Sequence, residues 1–137
     1  MMTVFLDANV IIDFLDGQRP RHALAVQALA ALAETGYTPV VTEDLLTTIY
    51  YVVKDKPCVL DFFEYVLAQW IVVPFGLNLL EKTLNDCRDD QGIDFEDRLQ
   101  GCAALREGCR FILTSDSNFS APTGIESQTL QNFKPGD

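Results

Sequence analysis

The chain has 137 residues, of which 48% are hydrophobic and 22% charged, a size and composition typical of one globular domain. Its net charge of −10 argues against a protein that coats nucleic acid, because basic residues supply that affinity. The charge leaves room for an enzyme that holds phosphate through a divalent cation, or for a basic partner protein. Since we find neither a membrane-length apolar run nor a signal peptide, we expect a cytoplasmic protein with one domain over residues 1–137.

The predicted elements alternate between strands and helices. Apolar runs predict the strands, and apolar residues at helical spacing between Gly and Pro predict the helices. In chain order we predict a strand at 3–6, helices at 9–15 and 20–36, a strand at 38–41, helices at 43–53 and 58–69, a strand at 71–75, helices at 77–87 and 94–108, a strand at 111–114, a short fifth strand at 124–127 and a short helix at 128–133. This alternation predicts an α/β fold, with a parallel sheet of four or five strands and helices on both faces.

The cysteines and the histidine do not form a metal-binding pattern. The chain has four cysteines and one histidine, and no two cysteines form a CxxC pair. Zinc sites need closely spaced pairs of such ligands. We therefore expect free, mostly buried thiols in a reducing compartment.

Two predicted strands end at carboxylates. Asp7 follows the strand at 3–6, and Asp116 follows the strand at 111–114. Taken singly, Asp7 is also a good helix cap and Asp116 is typical of a turn. In parallel sheets, however, functional groups gather at the carboxyl ends of the strands. If these two strands are neighbours, the two carboxylates lie at one edge of the sheet.

A further acidic segment, DFED, begins the predicted helix at 94–108. Asp94 and Asp97 are three residues apart and share a helix face, although acids at a helix start are also stabilising by themselves. This helix leads into the strand that precedes Asp116, so Asp97 would join Asp7 and Asp116. Carboxylates this close repel one another, and Mg²⁺ or Mn²⁺ would relieve that repulsion and activate a water molecule. The chemistry indicated is metal-assisted hydrolysis of a phosphodiester.

The segments TVFLDANVIIDFL, DFEDRLQGCAA, FILTSDSNF and ESQTLQNF, in this order, resemble the motifs of PIN-domain nucleases over essentially the whole chain. The resemblance implies a three-layer α/β/α sandwich around a parallel sheet. Many bacterial members are VapC-type toxins, which implies an endoribonuclease using Mg²⁺ or Mn²⁺, with RNA as substrate and a cognate antitoxin as partner. The family often forms homodimers.

The same resemblance assigns roles to particular residues. Asp7, Asp97 and Asp116 would be the metal ligands and catalytic residues, with Asp94 as an accessory acid. Asn9 would fix the geometry around Asp7, and we count Thr114, Ser115, Thr48 and Glu43 as supporting residues.

One motif departs from the family pattern. The family carries an acid in the helix after the second strand, and the segment IYY aligns that position with Thr48, which is uncharged. Glu43 or Asp44 would be substitutes, although they lie about one turn nearer the helix start, where acids are common. Loss of this carboxylate should weaken metal binding. An alternative function is therefore a catalytically degenerate PIN domain that binds RNA or protein without cutting.

Two other interpretations have weaker support. A haloacid dehalogenase-type phosphohydrolase also ends its first strand on Asp, but it needs a second Asp where Asn9 stands. The basic cluster of Arg19, Arg21 and His22 would suit an RNA phosphate, but such clusters are more often solvated loops, which is the interpretation we favour.

Overall fold

The computed structural model describes residues 1–134. Its helices and strands follow the predicted order, with small shifts at their ends. In chain order they are β1 (Met2–Leu6), α1 (Ala8–Leu15), α2 (His22–Glu34), β2 (Tyr37–Thr42), α3 (Glu43–Val52), α4 (Lys56–Gln69), β3 (Ile71–Val73), α5 (Leu77–Asp89), α6 (Phe95–Arg106), β4 (Ile112–Thr114) and β5 (Ser127–Thr129).

Within residues 1–134, five strands form one parallel sheet in the order β3-β2-β1-β4-β5. Strand β1 lies at the centre, and Val4, Phe5 and Leu6 are fully buried because both faces of the strand are covered. Helices α1 to α4 connect β1, β2 and β3 in one direction, whereas α5 and α6 connect β3 back to β4. Since such crossovers are right-handed, the two groups of helices cover opposite faces. The predicted three-layer α/β/α fold is confirmed.

The end of the chain departs from the prediction. The fifth strand is Ser127–Thr129, not 124–127, and it pairs in parallel with β4. The predicted helix at 128–133 is therefore wrong, because its first two residues belong to this strand and none of the others is helical. After the strand the chain forms a single turn, in which Phe133 N–H donates to the Thr129 carbonyl at 2.9 Å. Pairing with the sheet outweighs the helix propensity of this segment.

Helix α6 is fixed tightly at two points. At its start, the Asp94 side chain accepts a hydrogen bond from Asp97 N–H at 2.9 Å, an N-cap interaction. In its middle, Gly101 lies against Pro122, and a Cβ atom on this glycine would come within 2.3 Å of the proline Cδ. Any larger residue at this position would separate the helix from the segment that comes after β4. The position of Asp97 relative to that segment is therefore well defined.

Two further predictions concern the thiols and the membrane. The cysteines are free, as expected, but only Cys102 and Cys109 are buried, while Cys58 is exposed. None of the helices in residues 1–134 combines the length and the apolar character that crossing a membrane requires.

Candidate active site

Asp7 lies where the central strand β1 passes into α1. The residue is only 7% exposed, and its backbone N–H donates to the Leu113 carbonyl of the neighbouring strand β4 at 3.0 Å. Its carboxylate Oδ2 accepts a 2.8 Å hydrogen bond from Thr114 Oγ1, which belongs to a fully buried residue. In the part of the chain that the structure describes, no ion pair involves Asp7. A nearly buried carboxylate thus stands at the centre of the sheet edge without a cationic partner.

Asp116 is joined to Asp7 through Thr114. The Thr114 hydroxyl donates to Asp7 and accepts a 3.1 Å hydrogen bond from Asp116 N–H. The Asp116 carboxylate in turn accepts from Asn118 N–H at 2.8 Å, which closes a tight turn after β4. Asp116 itself is exposed. The sequence prediction that both carboxylates lie at one edge of the sheet is correct, because β1 and β4 are neighbours.

Asp97 reaches the same region from the first turn of α6. The residue is partly buried, and its Oδ2 accepts a long 3.4 Å hydrogen bond from Ser120 N–H. Asp94 lies one turn before it, outside the helix, and its carboxylate is engaged in capping. The structure therefore places Asp97 near enough to Asp7 and Asp116 for their charges to act on it. The Asp94 side chain positions the start of the helix.

The charges of these residues interact. Burial raises the pKa of Asp7, and the charge of Asp116 raises it further, while the hydrogen bond from Thr114 acts in the opposite direction. Burial raises the pKa of Asp97 to about 6, with added contributions from the charges of Asp94, Asp7 and Asp116. The ionisation of Asp7 and of Asp97 is therefore coupled to the charge of Asp116.

Glu96 belongs to the same group of acidic residues, and the sequence reasoning missed it. Glu96 is exposed as a residue, but partial burial of its carboxyl raises its pKa, and the charges of Asp7, Asp44 and Asp94 raise it further. Its Oε1 lies 3.4 Å from the amide nitrogen of Gln100, which is fully buried. The signal was present in the sequence, because Glu96 stands in the same first helical turn as Asp97.

The structure distinguishes between the candidate substitutes for the missing acid at Thr48. Thr48 is exposed, and its hydroxyl makes only a 3.4 Å contact to the Asp44 carbonyl. Glu43 is exposed as well. Asp44 is partly buried, its Oδ1 is a buried atom without a hydrogen-bond partner among residues 1–134, and its charge reaches Glu96. Of the two acids at this helix start, Asp44 is therefore the one that joins the acidic group.

On its other side, Asp116 borders a second polar region. Ser115, predicted as a supporting residue, donates to Asp13 Oδ2 at 3.0 Å and not to the acidic group. Asp13 is only 3% exposed and forms a 2.7 Å ion pair with Arg19. Asn9 is exposed and lines the same cleft as Ser115 and Asp116. Sequence reasoning had no ground for selecting Asp13, because its partner Ser115 comes from a distant part of the chain.

The chemistry of the donors fits Mg²⁺ or Mn²⁺. Both ions prefer carboxylate oxygens and water, and the acidic group offers such oxygens around the uncompensated Asp7. In residues 1–134, no three Asp, Glu, His or Cys side chains converge closely enough to form a ready-made cluster. Water molecules would therefore complete the coordination of an ion held between Asp7, Asp97 and Asp116. A cation there would favour the charged forms of Asp7 and Asp97, whose pKa values are raised mainly by burial and in part by the neighbouring carboxylates.

The molecule is thus an α/β protein with a parallel sheet and a group of acidic residues at the carboxyl end of its central strands. The sequence model of the PIN domain matches residues 3–118. The chain belongs to the PIN-domain family. It is also 37% identical, over 133 residues, to Ribonuclease VapC1 from Aquifex aeolicus (strain VF5), a match that covers 95% of this chain and 92% of that protein. Within the family it therefore groups with the VapC-type toxins.

Solved structures share the fold at much lower sequence identity. The toxin VapC20 from Mycobacterium tuberculosis, described as cleaving the sarcin-ricin loop, superposes with a TM-score of 0.69 at 13% identity, covering 85% of this chain and 92% of that one. VapBC2 from Rickettsia felis, bound to a DNA fragment from its promoter, gives a TM-score of 0.70 at 15% identity, covering 93% and 98%.

Proposed function

We propose that this protein is a divalent-metal-dependent endoribonuclease of the PIN type that acts in the cytoplasm as the toxin of a toxin–antitoxin pair. The observation that carries the proposal is the buried Asp7 without a counter-charge, coupled to Asp97 and Asp116 at the edge of the sheet. The 37% identity to a ribonuclease supports RNA as the substrate.

Each residue of the acidic group has a role under this proposal. Asp7, Asp97 and Asp116 would hold Mg²⁺ or Mn²⁺, which supplies an activated water molecule and stabilises the charge that develops on the phosphate. Thr114 fixes the orientation of the Asp7 carboxylate through its 2.8 Å hydrogen bond. Asp94 acts as the accessory acid, since its capping bond orients the helix turn that presents Asp97. Asp44 and Glu96 increase the negative potential that attracts the cation.

A second candidate function is a degenerate PIN domain that binds RNA or a protein without cutting. The observation that favours it is Thr48, an uncharged and exposed side chain at the position of the family's second-motif acid. Under this alternative, the remaining carboxylates would bind Mn²⁺ too weakly for catalysis. The two functions therefore differ in metal affinity as well as in RNA cleavage.

Titration of Mn²⁺ into the purified protein by calorimetry, followed by an RNA cleavage assay, separates the two functions. The variant is Asp7→Asn, and the matched control is Asp61→Asn, which removes the same charge from an exposed position on α4. We expect saturable Mn²⁺ binding and cleavage by the parent and the control. Asp7→Asn should lose binding and at least roughly a hundredfold in cleavage rate.

Two outcomes would contradict the proposal. Undiminished metal-dependent cleavage by Asp7→Asn would contradict the proposed site. Absence of both Mn²⁺ binding and cleavage in the parent would favour the degenerate domain. A thermal melt gives an independent measurement, because Mn²⁺ at about 100 times its dissociation constant should stabilise the parent by roughly 2.7 kcal/mol and leave Asp7→Asn unchanged.

The proposed partners are a cognate antitoxin protein and a second copy of the chain. The relative from Rickettsia felis is a VapBC2 assembly, which supports the antitoxin. The net charge of −10 suits a basic segment in such a partner. Co-purification with the product of an adjacent gene, followed by light scattering on each species, tests both partners in one experiment.

A further inference from the structure

A cleft of about 380 Å³ opens beside Asp116, and the charged residues of its lining are two arginines and two aspartates. Arg19 and Arg21 line it together with Asn9 and Ser115. The acidic group on the other side of Asp116 is strongly negative, and the whole chain carries a net charge of −10. A polyanionic substrate approaching Asp116 therefore meets favourable charge on the arginine side of the site.

Asp13 holds two residues of this cleft, Arg19 and Ser115, in fixed positions. Its Oδ1 accepts from Arg19 Nε at 2.7 Å, and its Oδ2 accepts from Ser115 Oγ at 3.0 Å, so both carboxylate oxygens are used. The Asp13 side chain is 4% exposed, whereas that of Arg19 is 35% exposed. The guanidinium is thus anchored at one edge inside the protein, while the rest of the group faces the cleft.

The loop between α1 and α2 is held in place as well. His22 Nδ1 lies 2.9 Å from the Asp13 carbonyl, which ties the end of the loop back to α1. Arg21 lies against the side-chain amide of Gln131, whose oxygen, when turned toward the arginine, accepts from Nε at 2.6 Å and from Nη2 at 3.3 Å. Arg19 is therefore oriented by a buried carboxylate, whereas Arg21 is exposed and its contact is with the exposed Gln131.

We propose that Arg19 and Arg21 bind a backbone phosphate of the RNA next to the phosphate that is cleaved at the acidic group. Asp13 is the positioning residue that aims Arg19. The planar fork of arginine suits bidentate contact with phosphate oxygens, and anchoring by a buried carboxylate lowers the entropy lost on binding. This inference rests on the proposed ribonuclease function and adds to it the subsite that holds the substrate.

The test uses a fluorescent single-stranded RNA of about 12 nucleotides, with binding measured by anisotropy across roughly 50 to 200 mM KCl in the presence of Mg²⁺. The background is Asp7→Asn, so that the RNA stays intact. The variants are Arg19→Gln, Arg21→Gln and both together. The matched control is Arg88→Gln, which removes the same charge from a position near the end of α5, outside the cleft.

We expect the double variant to lose roughly tenfold in affinity at low salt and its salt slope to fall by about 0.7 for each arginine removed. Arg88→Gln should remain within about twofold of the parent. If the double variant has the same RNA affinity and the same salt slope as the parent, the assignment is wrong. This result is also the one expected if the guanidinium groups bind carboxylates of a protein partner instead of RNA. Absence of RNA binding by the parent would also overturn the assignment.

A double-mutant cycle tests the role of Asp13. If Asp13 acts through Arg19, Asp13→Asn should reduce affinity and salt slope about as much as Arg19→Gln does, and combining them should add little. Fully additive losses would contradict the positioning role. The arginine variants test the subsite even if Asp13→Asn does not fold, because neither arginine belongs to the buried core.

The cleavage assay separates this inference from the proposed function. In the chain with Asp7 intact, the arginine variants should raise KM by roughly tenfold with kcat changed less than about threefold. Loss of cleavage in Asp7→Asn together with normal RNA binding by the arginine variants would uphold the nuclease and refute the subsite. Full cleavage by Asp7→Asn, together with the expected change in salt slope in the arginine variants, would refute the proposed nuclease site and uphold the arginine subsite.

Discussion

Asp7 and Asp13 belong to the same short stretch of chain, are 7% and 3% exposed, and have opposite surroundings. Both oxygens of Asp13 accept hydrogen bonds, one of them from a cation, so its charge is compensated within the fold. Asp7 accepts a side-chain hydrogen bond from Thr114, and the backbone N–H groups of Ala8 and Asn9 favour its charged form, but the charge beside it is the like charge of Asp116. The contrast teaches that burial by itself does not mark a functional carboxylate. What marks Asp7 is the missing counter-charge, which a bound cation would supply.

The largest expected effect is on the compensated carboxylate. Asp13→Ala should lower the free energy of unfolding by about 2–3 kcal/mol, because Arg19 and Ser115 both lose their partner. In metal-free buffer, Asp7→Asn should change it by less than about 1 kcal/mol, since removing this charge also removes repulsion. Urea unfolding of both variants measures the difference. Equal losses of unfolding free energy in the two variants would contradict the proposed difference between Asp13 and Asp7.

A second prediction concerns Thr114, which holds Asp7 in place. Thr114→Val should destabilise the protein by about 1–2 kcal/mol, because the buried Asp7 Oδ2 and the Asp116 N–H both lose a partner. The matched control is Thr83→Val, also at a fully buried residue, whose hydroxyl donates to the Leu79 carbonyl inside α5. That carbonyl keeps its helix bond, so the control should lose less than about 1 kcal/mol. Thermal melts of the two variants show whether the difference exists.

The positions of Asp7 and Asp116 could be predicted from the sequence, but the contact of Asp13 with Ser115 could not. Asp7 and Asp116 come directly after apolar strands, and the geometry of parallel sheets is enough to place both at one edge. The contact between Asp13 and Ser115 depends on which side of α1 faces the segment after β4, a tertiary relation that local patterns do not encode. The same holds for the predicted helix at 128–133, because its first two residues pair with β4 instead.

The third prediction is a pH dependence. The pKa of Asp97 is about 6 in the folded protein and near 3.8 when unfolded, so the folded state binds more protons between these values. In metal-free buffer the free energy of unfolding should therefore fall as pH rises from about 4 to 6. Because Asp97 is partly exposed, we expect a contribution of only about 1 kcal/mol. In Asp97→Asn, the free energy of unfolding should depend less on pH over this range. A pH dependence equal to that of the parent would contradict the raised pKa of Asp97.

The smallest effect separates the two acids at the start of α3. Asp44→Asn should weaken Mn²⁺ binding about threefold, because the charge of Asp44 reaches the acidic group through Glu96. Glu43→Gln is the matched control on the neighbouring, exposed residue and should leave the affinity unchanged. Calorimetric titration of both variants measures the difference. A larger loss in Glu43→Gln would identify Glu43 as the substitute for the acid absent at Thr48.

The hydrogen bond between Thr114 and Asp7 joins residues 107 positions apart, and it closes the site across the centre of the sheet. At a synthesis rate of about 5–20 residues per second, Asp7 waits roughly 5–20 s on the ribosome for this partner. The paired strand β4 cannot join the sheet before then, and contacts of such long sequence separation also form slowly. Under the proposed function, ribonuclease activity can therefore begin only after the chain has been synthesised through Asp116.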